Sequence, residues 1–513
     1  MSEEIDDPFA GELEQDGGGR RKRKAAEPLI APEDAGEGDV DLDLALAFQP
    51  MNDFGNANRL IRRYGEDLMF VKNVGWFAWD GARWDRERGD GEFTKRGHLL
   101  SKAIRGEFRA LKEKKPEYAE VAGKLWAWGV QSGNTARING MMAAAEPYLS
   151  QPIDSLDAEP FLVVAQNGTI ELGQHAELRK SRREDRITRI LGAGFDTRAR
   201  RDRWDGFIAR VLPDAEIRDF VQRFMGYCLT GETNAHLLLI LYGLGRNGKT
   251  VFMNIMRRIL ADYATSLPAA SILAKREGAS GSEASPDLAD LPGVRLVTVS
   301  EPPEGGRLDE SRIKEITGGE FAMKVRHLNK GFFEFRPQFK MMIATNHRPT
   351  IRGTDKGIWS RIALIPFTAQ IPESEIDPGL EEKLWAERDG ILQWLLTGAE
   401  EWRVRGLALP QKIKDAVEDY RADQDPVGEF LKARCEVCPE SINPATDKPF
   451  EVTAKRLREA YVEWCKEEGL DPMGGKAFGS KLTGMGIQRR KSNGNKIYIG
   501  LHINADPVDL GQG

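Results

Sequence analysis

Four cysteines in 513 residues are too few to staple a chain of this size, and no run of about 18 uninterrupted apolar residues occurs. A disulfide framework and a membrane-spanning reading are therefore both excluded. The amino terminus, MSEEIDDPFAGELEQDGGG, lacks the basic start and apolar stretch of a secretory signal, so a reducing cytoplasm is the expected compartment. No tandem repeat is present. Cys435 and Cys438 form a lone CxxC with no second pair nearby to complete tetrahedral zinc, so metal binding there is not expected. The length instead suggests roughly three ordinary domains at about 150 residues each.

The net charge of −6 is unevenly spread. Residues 1–50 hold fourteen acidic residues and five basic ones, a balance of −9, which leaves +3 on residues 51–513. This acidic tail is poor in aromatics and interrupted by Gly and Pro, so burial cannot offset its ordering entropy and disorder is expected over 1–50. Its RRKRK cluster reads as a solvated charge run, with phosphate contact as the alternative.

From Asn52 to about Gln151 helical spacing mixes with aromatics, notably in VGWFAWDGARW, where Asp80-Gly81 signals a tight hairpin. Trp76, Phe77, Trp79 and Trp84 read as core, with base stacking as the alternative. Asn167-Gly168 signals a second hairpin. Residues 201–230 have helical periodicity, as does the stretch beyond Phe367, and Asp425-Pro426 marks a boundary.

The chemistry lies between these. After the apolar strand HLLLILY come Gly243, Leu244, Gly245, Arg246, Asn247, Gly248, Lys249 and Thr250, followed by the helical VFMNIMRRIL. This is the Walker A pattern in both letters and context: glycines let backbone amides wrap a phosphate, and the helix points its positive end at the anion. Lys249 would meet the β- and γ-phosphates of ATP, and Thr250 would hold Mg²⁺. The strand VRLVTVS ends at Glu301, placed to polarise water or help organise the metal; a surface glutamate in EPPEGG is the alternative. FKMMIATN puts Asn346 at a strand end, where its amide could sense the γ-phosphate or merely cap a turn. RIALIPF opens with Arg361, a fixed charge able to reach a neighbour's γ-phosphate or simply a surface arginine.

In that order and spacing, GLGRNGKT, LADLPGVRLVTVSE, IKEITGGE, FKMMIATNHRP and DKGIWSRIALIPF resemble the superfamily 3 helicases. Within them the likeness is to the phage and plasmid primase-helicase proteins related to the poxvirus-type helicase-primase. The resemblance implies an α/β fold: a P-loop AAA+-like ATPase core with a parallel sheet and flanking helices, after a mostly helical N-terminal domain and before a C-terminal winged helix. The implied organisation is a tail (1–50), an N-terminal α+β domain (51–200), a helical collar (201–232), the ATPase domain (233–370), a helical segment (371–425) and the winged-helix-like domain (426–513).

The implied activity is an ATP-dependent replicative DNA helicase, a ring translocating on single-stranded DNA. An origin-melting or loading factor is the alternative. Lys249, Glu301, Asn346 and Arg361 would be catalytic, residues 243–250 would bind ATP, and Thr250 and Glu301 would serve Mg²⁺. Single-stranded and forked DNA, further copies of the chain as a homohexamer, a separate primase and other replication proteins are the implied partners; the chain looks like the helicase part alone. Ser300 precedes a single Glu301 where many family members carry tandem acids, and Ser360 precedes Arg361 where a second arginine is frequent.

FAMKVRHLNKGFFEFRP reads as two strands that bury Phe321, Met323 and Val325 and offer Lys324, Arg326, His327 and Lys330. From spacing alone a solvated ribbon is equally good; the resemblance implies a hairpin projecting into a DNA-filled pore. Residues 448–503 hold eleven basic residues against six acidic ones, and two helical stretches precede a hairpin turning at Asn493-Gly494. Arg489, Arg490 and Lys491 beside that turn are candidate DNA contacts, with protein docking as the alternative.

Overall fold

The computed structural model describes residues 42–274, 286–319, 322–328, 330–351, 356–437, 442–443, 448–468, 470–492 and 495–504. The expectations for residues 1–41, Phe321, Asn329, Cys438 and the Asn493-Gly494 turn lie outside the described residues. The chain divides into two compact units, one of residues up to Glu66 with Glu92–Leu149, the other of Asp67–Gly91 with the residues from Ser150 onward.

The first unit is helical: α1 (Leu42–Ala47), α2 (Asp53–Tyr64), α3 (Arg86–Lys114, its first turns in the second unit), α4 (Ala119–Gln131) and α5 (Thr135–Ala145). Helix α1 corrects the expected disorder over 42–50, because Leu46 and Ala47 are buried. Asn52 caps α2 by accepting from the Gly55 N–H at 2.8 Å. Arg59 is buried where its guanidinium donates to Glu107 at 2.8 Å, and Arg63 reaches the same carboxylate at 3.0 Å. The aromatic α4 splits its tryptophans by helical phase. Trp128 turns inward and its indole donates to Asn56 at 2.9 Å, while Trp126 stays 41% exposed.

The second unit begins with β1 (Leu68–Val71), β2 (Gly75–Trp79), β3 (Trp84–Asp85) and β4 (Ser150–Gln151), in the order β3-β2-β1-β4. The β2–β3 hairpin turns over Asp80–Arg83, with Asp80 accepting from the Ala82 and Arg83 N–H groups, each at 2.8 Å. Trp76, Phe77 and Trp84 are buried. Strands β5 (Leu162–Ala165), β6 (Gly168–Leu172) and β7 (Ala176–Arg179) form a second antiparallel sheet. Here Ala165 pairs with Gly168, so the turn residues are Gln166 and Asn167, one position earlier than the sequence signal suggests.

Helices α6 (Asp202–Val211) and α7 (Ala215–Tyr227) separate at Pro213 and lead into the central sheet. Its strands are β8 (Leu238–Tyr242), β9 (Ala264–Leu267), β10 (Leu296–Val299), β13 (Lys340–Thr345) and β14 (Ile362–Pro366), all parallel in the order β14-β8-β13-β10-β9. Alternate residues feed two cores: Leu239, Leu241, Met342, Ala363 and Ile365 one, Leu238, Ile240, Met341, Ile343 and Leu364 the other. Helix α8 (Lys249–Leu260) lays Phe252, Ile255, Met256 and Ile259 onto the first core, the stripe its periodicity predicts. Trp204 from α6 fills the same core beside Phe252 and Trp394.

Inserted between β10 and β13 are α9 (Glu310–Gly318) and the antiparallel pair β11 (Met323–Val325) and β12 (Phe333–Phe335). After the sheet come α10 (Lys356–Trp359, ahead of β14), α11 (Leu380–Trp385), α12 (Arg388–Arg405) and α13 (Gln411–Asp423).

The carboxyl-terminal part has its own core of Val427, Phe430, Leu457, Tyr461, Phe478, Leu482 and Tyr498. It comprises α14 (Pro426–Arg434), β15 (Cys435–Val437), the short pair β16 (Ile442–Asn443) and β17 (Lys448–Pro449), and β18 (Glu451–Thr453). Then follow α15 (Ala454–Glu467), α16 (Gly475–Gly484), β19 (Arg489–Ser492), β20 (Asn495–Ile499) and β21 (Leu501–Ile503). Three strands pair as β18-β20-β19, and β15 pairs with β21. Cys435 lies in this core, where burial pushes its thiol up to about 12.

At the amino edge of the central sheet, Lys340 is buried and donates to the carbonyls of Thr230, Glu232 and Gln338 at 2.5, 3.1 and 3.2 Å. Burial lowers its pKa from the ordinary 10.5 to about 7. The folded chain thus binds fewer protons here than the unfolded chain between those two values, so stability should rise with pH across that window and be flat below it. Thermal melts from pH 7 to 9 should show wild type gaining on Lys340→Met; parallel curves for the two proteins would contradict this.

Candidate functional site

Because all five strands of the central sheet run the same way, their carboxyl ends share one edge, and β8 lies where successive connections leave in opposite directions. The segment Gly243–Gly248 leaves β8 at that edge. Gly245 and Gly248 have φ of +97° and +82°, which the absence of a Cβ permits, and Arg246 joins them at +48°. A Cβ on Gly243 would lie 2.3 Å from Asn247 Nδ2 and 2.4 Å from the Phe367 carbonyl oxygen; one on Gly248 would lie 2.5 Å from Val211. Gly248 caps α8 without a side chain, so the first-turn N–H groups face the loop.

Lys249 opens α8 and is 5% exposed. Its ammonium donates to the Gly243 carbonyl at 2.5 Å, to Asn346 Oδ1 at 3.1 Å and to Asn247 Oδ1 at 3.2 Å. Asn247 in turn donates to the Phe367 carbonyl at 3.1 Å, tying the loop to the end of β14. At the end of β10, Glu301 accepts from the Asn346 N–H at 2.9 Å. Burial lowers the Lys249 pKa and the Glu301 charge partly offsets that. The ammonium therefore rests on neutral oxygens, with a carboxylate near enough to be felt but not hydrogen-bonded to it. That donor set fits an anion: exposed Thr250 beside the lysine, first-turn amides, and a cation without a bonded counter-charge.

Lys249 at the start of α8, Asn346 after β13 and Glu301 after β10 are thus brought together from segments distant in sequence. Arg361 is not among them. It precedes β14, at the amino edge, where its guanidinium donates to Thr317 Oγ1 at 3.1 Å and its carbonyl accepts from the Leu238 N–H at 2.6 Å. A five-residue strand separates the two edges by about 17 Å. Ser300, in the position of a tandem acid, instead accepts from the Ala269 N–H at 2.9 Å.

Two side chains near the site read in the sequence only as part of a turn after Asn346. Arg348 pairs with Asp423 at 2.5 Å and lies over the Tyr242 ring at 4.9 Å, while His347 sits 3.8 Å from Glu304. Their adjacency to Asn346 in TNHRP was the available signal.

Of the hairpin candidates, Lys324 and Arg326 are exposed and lie over the Phe332 ring at 5.5 and 4.8 Å. Lys330 donates to the Val74 carbonyl at 2.5 Å, and Asn73 donates to the Phe332 carbonyl at 3.0 Å, so the β1–β2 turn holds the tip. His327 packs on Phe333 and lies 3.7 Å from Asp290. Burial and then Arg86 hold its pKa below the ordinary value. In the carboxyl-terminal sheet Arg489 and Lys491 are exposed, and Arg490 pairs with Glu451 at 2.5 Å.

A mixed α/β protein with a glycine-rich loop, lysine, amide and carboxylate at the carboxyl edge of a parallel sheet is the class these observations define. Residues 57–213 match the D5 N-terminal-like family, and residues 241–361 match a family of unknown function (DUF5906). A putative helicase (L207/L206) of Acanthamoeba polyphaga mimivirus is 26% identical over 400 residues, covering 70% of this chain and 41% of that protein. Putative helicase 022R of Frog virus 3 is 29% identical over 164 residues, 31% of this chain and 17% of that protein. Putative primase C962R of African swine fever virus (isolate Tick/Malawi/Lil 20-1/1983) is 24% identical over 352 residues, 61% of this chain and 34% of that protein. The chain thus spans less than half the length of each of these relatives. Among solved structures, the apo C-terminal region of NrS-1 is similar at a TM-score of 0.39 and 14% identity, over 60% of this chain and 77% of that one. Over parts of its length the chain is thus similar to viral proteins named as putative helicases and primases.

Gly243→Ala puts a methyl group where the backbone of the loop and β14 leave no room. A loss of about 1–3 kcal/mol in denaturant unfolding is expected; an unchanged midpoint would mean that the loop yields freely.

Proposed function

We propose that this chain is an ATP-driven DNA helicase of the superfamily 3 type, assembled as a ring that moves on single-stranded DNA. The observation that carries this reading is the convergence of Lys249, Asn346 and Glu301 beside the Gly243–Gly248 loop. The strand order β14-β8-β13-β10-β9 supports an AAA+-like core. In the carboxyl-terminal part, the order α14-β18-α15-α16-β19-β20 with pairing β18-β20-β19 supports a winged helix.

In this reading the loop amides and Lys249 bind the β- and γ-phosphates of ATP, and Lys249 turns from the Gly243 carbonyl to phosphate oxygen. Glu301 accepts a proton from the water that attacks the γ-phosphorus, and ADP leaves as the bond to its β-phosphate oxygen breaks. Asn346, bonded to both Lys249 and Glu301, links the state of the phosphate to the position of the carboxylate. Thr250 and Glu301 would hold Mg²⁺, which when bound neutralises charge on the phosphate oxygens. Positioning and electrostatics do the work.

Arg361 stands at the opposite edge from its own loop. As a catalytic group it would serve the loop of an adjacent copy, so hydrolysis would require assembly, and a cyclic hexamer is the proposed form. Lys324, Arg326, Arg489 and Lys491 would meet the DNA backbone, with affinity falling steeply in salt.

ATP hydrolysis with and without single-stranded DNA, read alongside particle mass, tests this. Lys249→Ala and Glu301→Gln should each lower the rate by at least about a hundredfold, and both should still fold. Wild-type turnover by Lys249→Ala would overturn the site. Hydrolysis without clearing a long forked duplex would favour a loading factor over a helicase.

A further inference from the structure

The helical unit carries a surface unused by the site above. Along α3, His98, Lys102, Arg105, Arg109 and Lys112 recur at spacings of three and four and so share one helix face, about 20 Å long. From Lys95 to Lys112 the sequence holds a single acid, Glu107. It points the other way, buried against Arg59 and Arg63.

Beside this stripe lie two aromatic rings. Phe108 and Trp126 meet edge to face, their centroids 5.3 Å apart at 66°. The Arg105 guanidinium lies 5.8 Å from the Trp126 ring and the Lys112 ammonium 5.9 Å from the Phe108 ring. Trp126 is 41% exposed although its helix has an inward face of Ala122, Leu125, Trp128 and Gly129 to offer it.

We infer that this face is a binding platform for single-stranded nucleic acid, distinct from the β11–β12 hairpin: phosphates run along the cationic stripe and a base stacks on Trp126. Charge and rings together favour that occupant. The core of a protein interface is depleted of charge, whereas these rings are flanked by cations. The chain's own acidic segment of residues 1–41 could answer the charge, but Phe9 is its single aromatic residue, so it offers almost nothing to stack. A duplex would engage the cations yet leave the ring without an unstacked base. The inference rests on the nucleic-acid reading above for the class of its ligand.

The test is anisotropy of a labelled oligo-dT with the full chain. Trp126→Ala should weaken binding about tenfold, and Trp126→Phe should restore most of it. Arg105→Ala and Arg109→Ala should each reduce the slope of log affinity against log salt by about 0.7. Nucleotide hydrolysis without DNA should be unchanged in all four. Wild-type affinity in Trp126→Ala overturns the platform, as does an equal loss in Trp126→Phe or a change in particle mass with no change in oligonucleotide affinity. If Lys324→Ala loses oligonucleotide while Trp126→Ala keeps it, the platform alone falls. If the wild-type chain does not bind the oligonucleotide, the nucleic-acid reading falls with it.

Discussion

The buried ammonium of Lys249 is the constraint around which the central sheet is arranged. A cation at this depth costs solvation unless oxygen atoms replace water, and here a loop carbonyl and two side-chain amides do so. Two of these oxygens come from the loop itself; the third, Asn346, arrives only because β13 pairs beside β8. Glu301 reaches Asn346 only because β10 pairs beside β13. Moving β13 away from β8 would leave the lysine with the two loop oxygens alone. The strand order and the chemistry of the loop are therefore one requirement seen from two sides.

Other buried cations in the chain are satisfied differently. Lys340 is held by three main-chain carbonyls, and Arg295 donates to the Pro160 carbonyl at 2.8 Å. Carbonyls that also terminate helices and loops hold such groups in place, pinning the amino edge of the sheet to α7 and to the β4–β5 connection. Lys249 at the other edge is bound by one loop carbonyl and two side-chain amides. The β11–β12 hairpin sits between these cases: its basic strands are exposed, but its tip is held by Asn73 and the Val74 carbonyl.

Much of this was legible in the sequence. The loop, its flanking strand and helix, and the strands ending at Glu301 and Asn346 follow from local patterns, because glycine placement and two-residue alternation are short-range properties. The paired basic strands around Lys330 and the Asp80-Gly81 turn were legible for the same reason. The turn at Gln166-Asn167 was read one residue late, since Asn-Gly marks a turn more reliably than its register. Helix α1 was missed because two buried residues, Leu46 and Ala47, carry it within an otherwise polar and acidic stretch.

What the sequence determined alone was a set of local conformations and the kinds of group they carry: a glycine-rich loop, an acid and an amide at strand ends, a basic ribbon. Which of those groups meet was decided by the tertiary structure. Pairing of β8, β13 and β10 joins residues nearly a hundred positions apart. The direction of β14 sends Arg361 to the far edge. Packing of α4 on α3 leaves Trp126 outside and takes Trp128 inside. The reason is physical: side-chain alternation and turn geometry act over a few residues, whereas strand order and helix packing are settled by burying apolar faces shared across the whole unit.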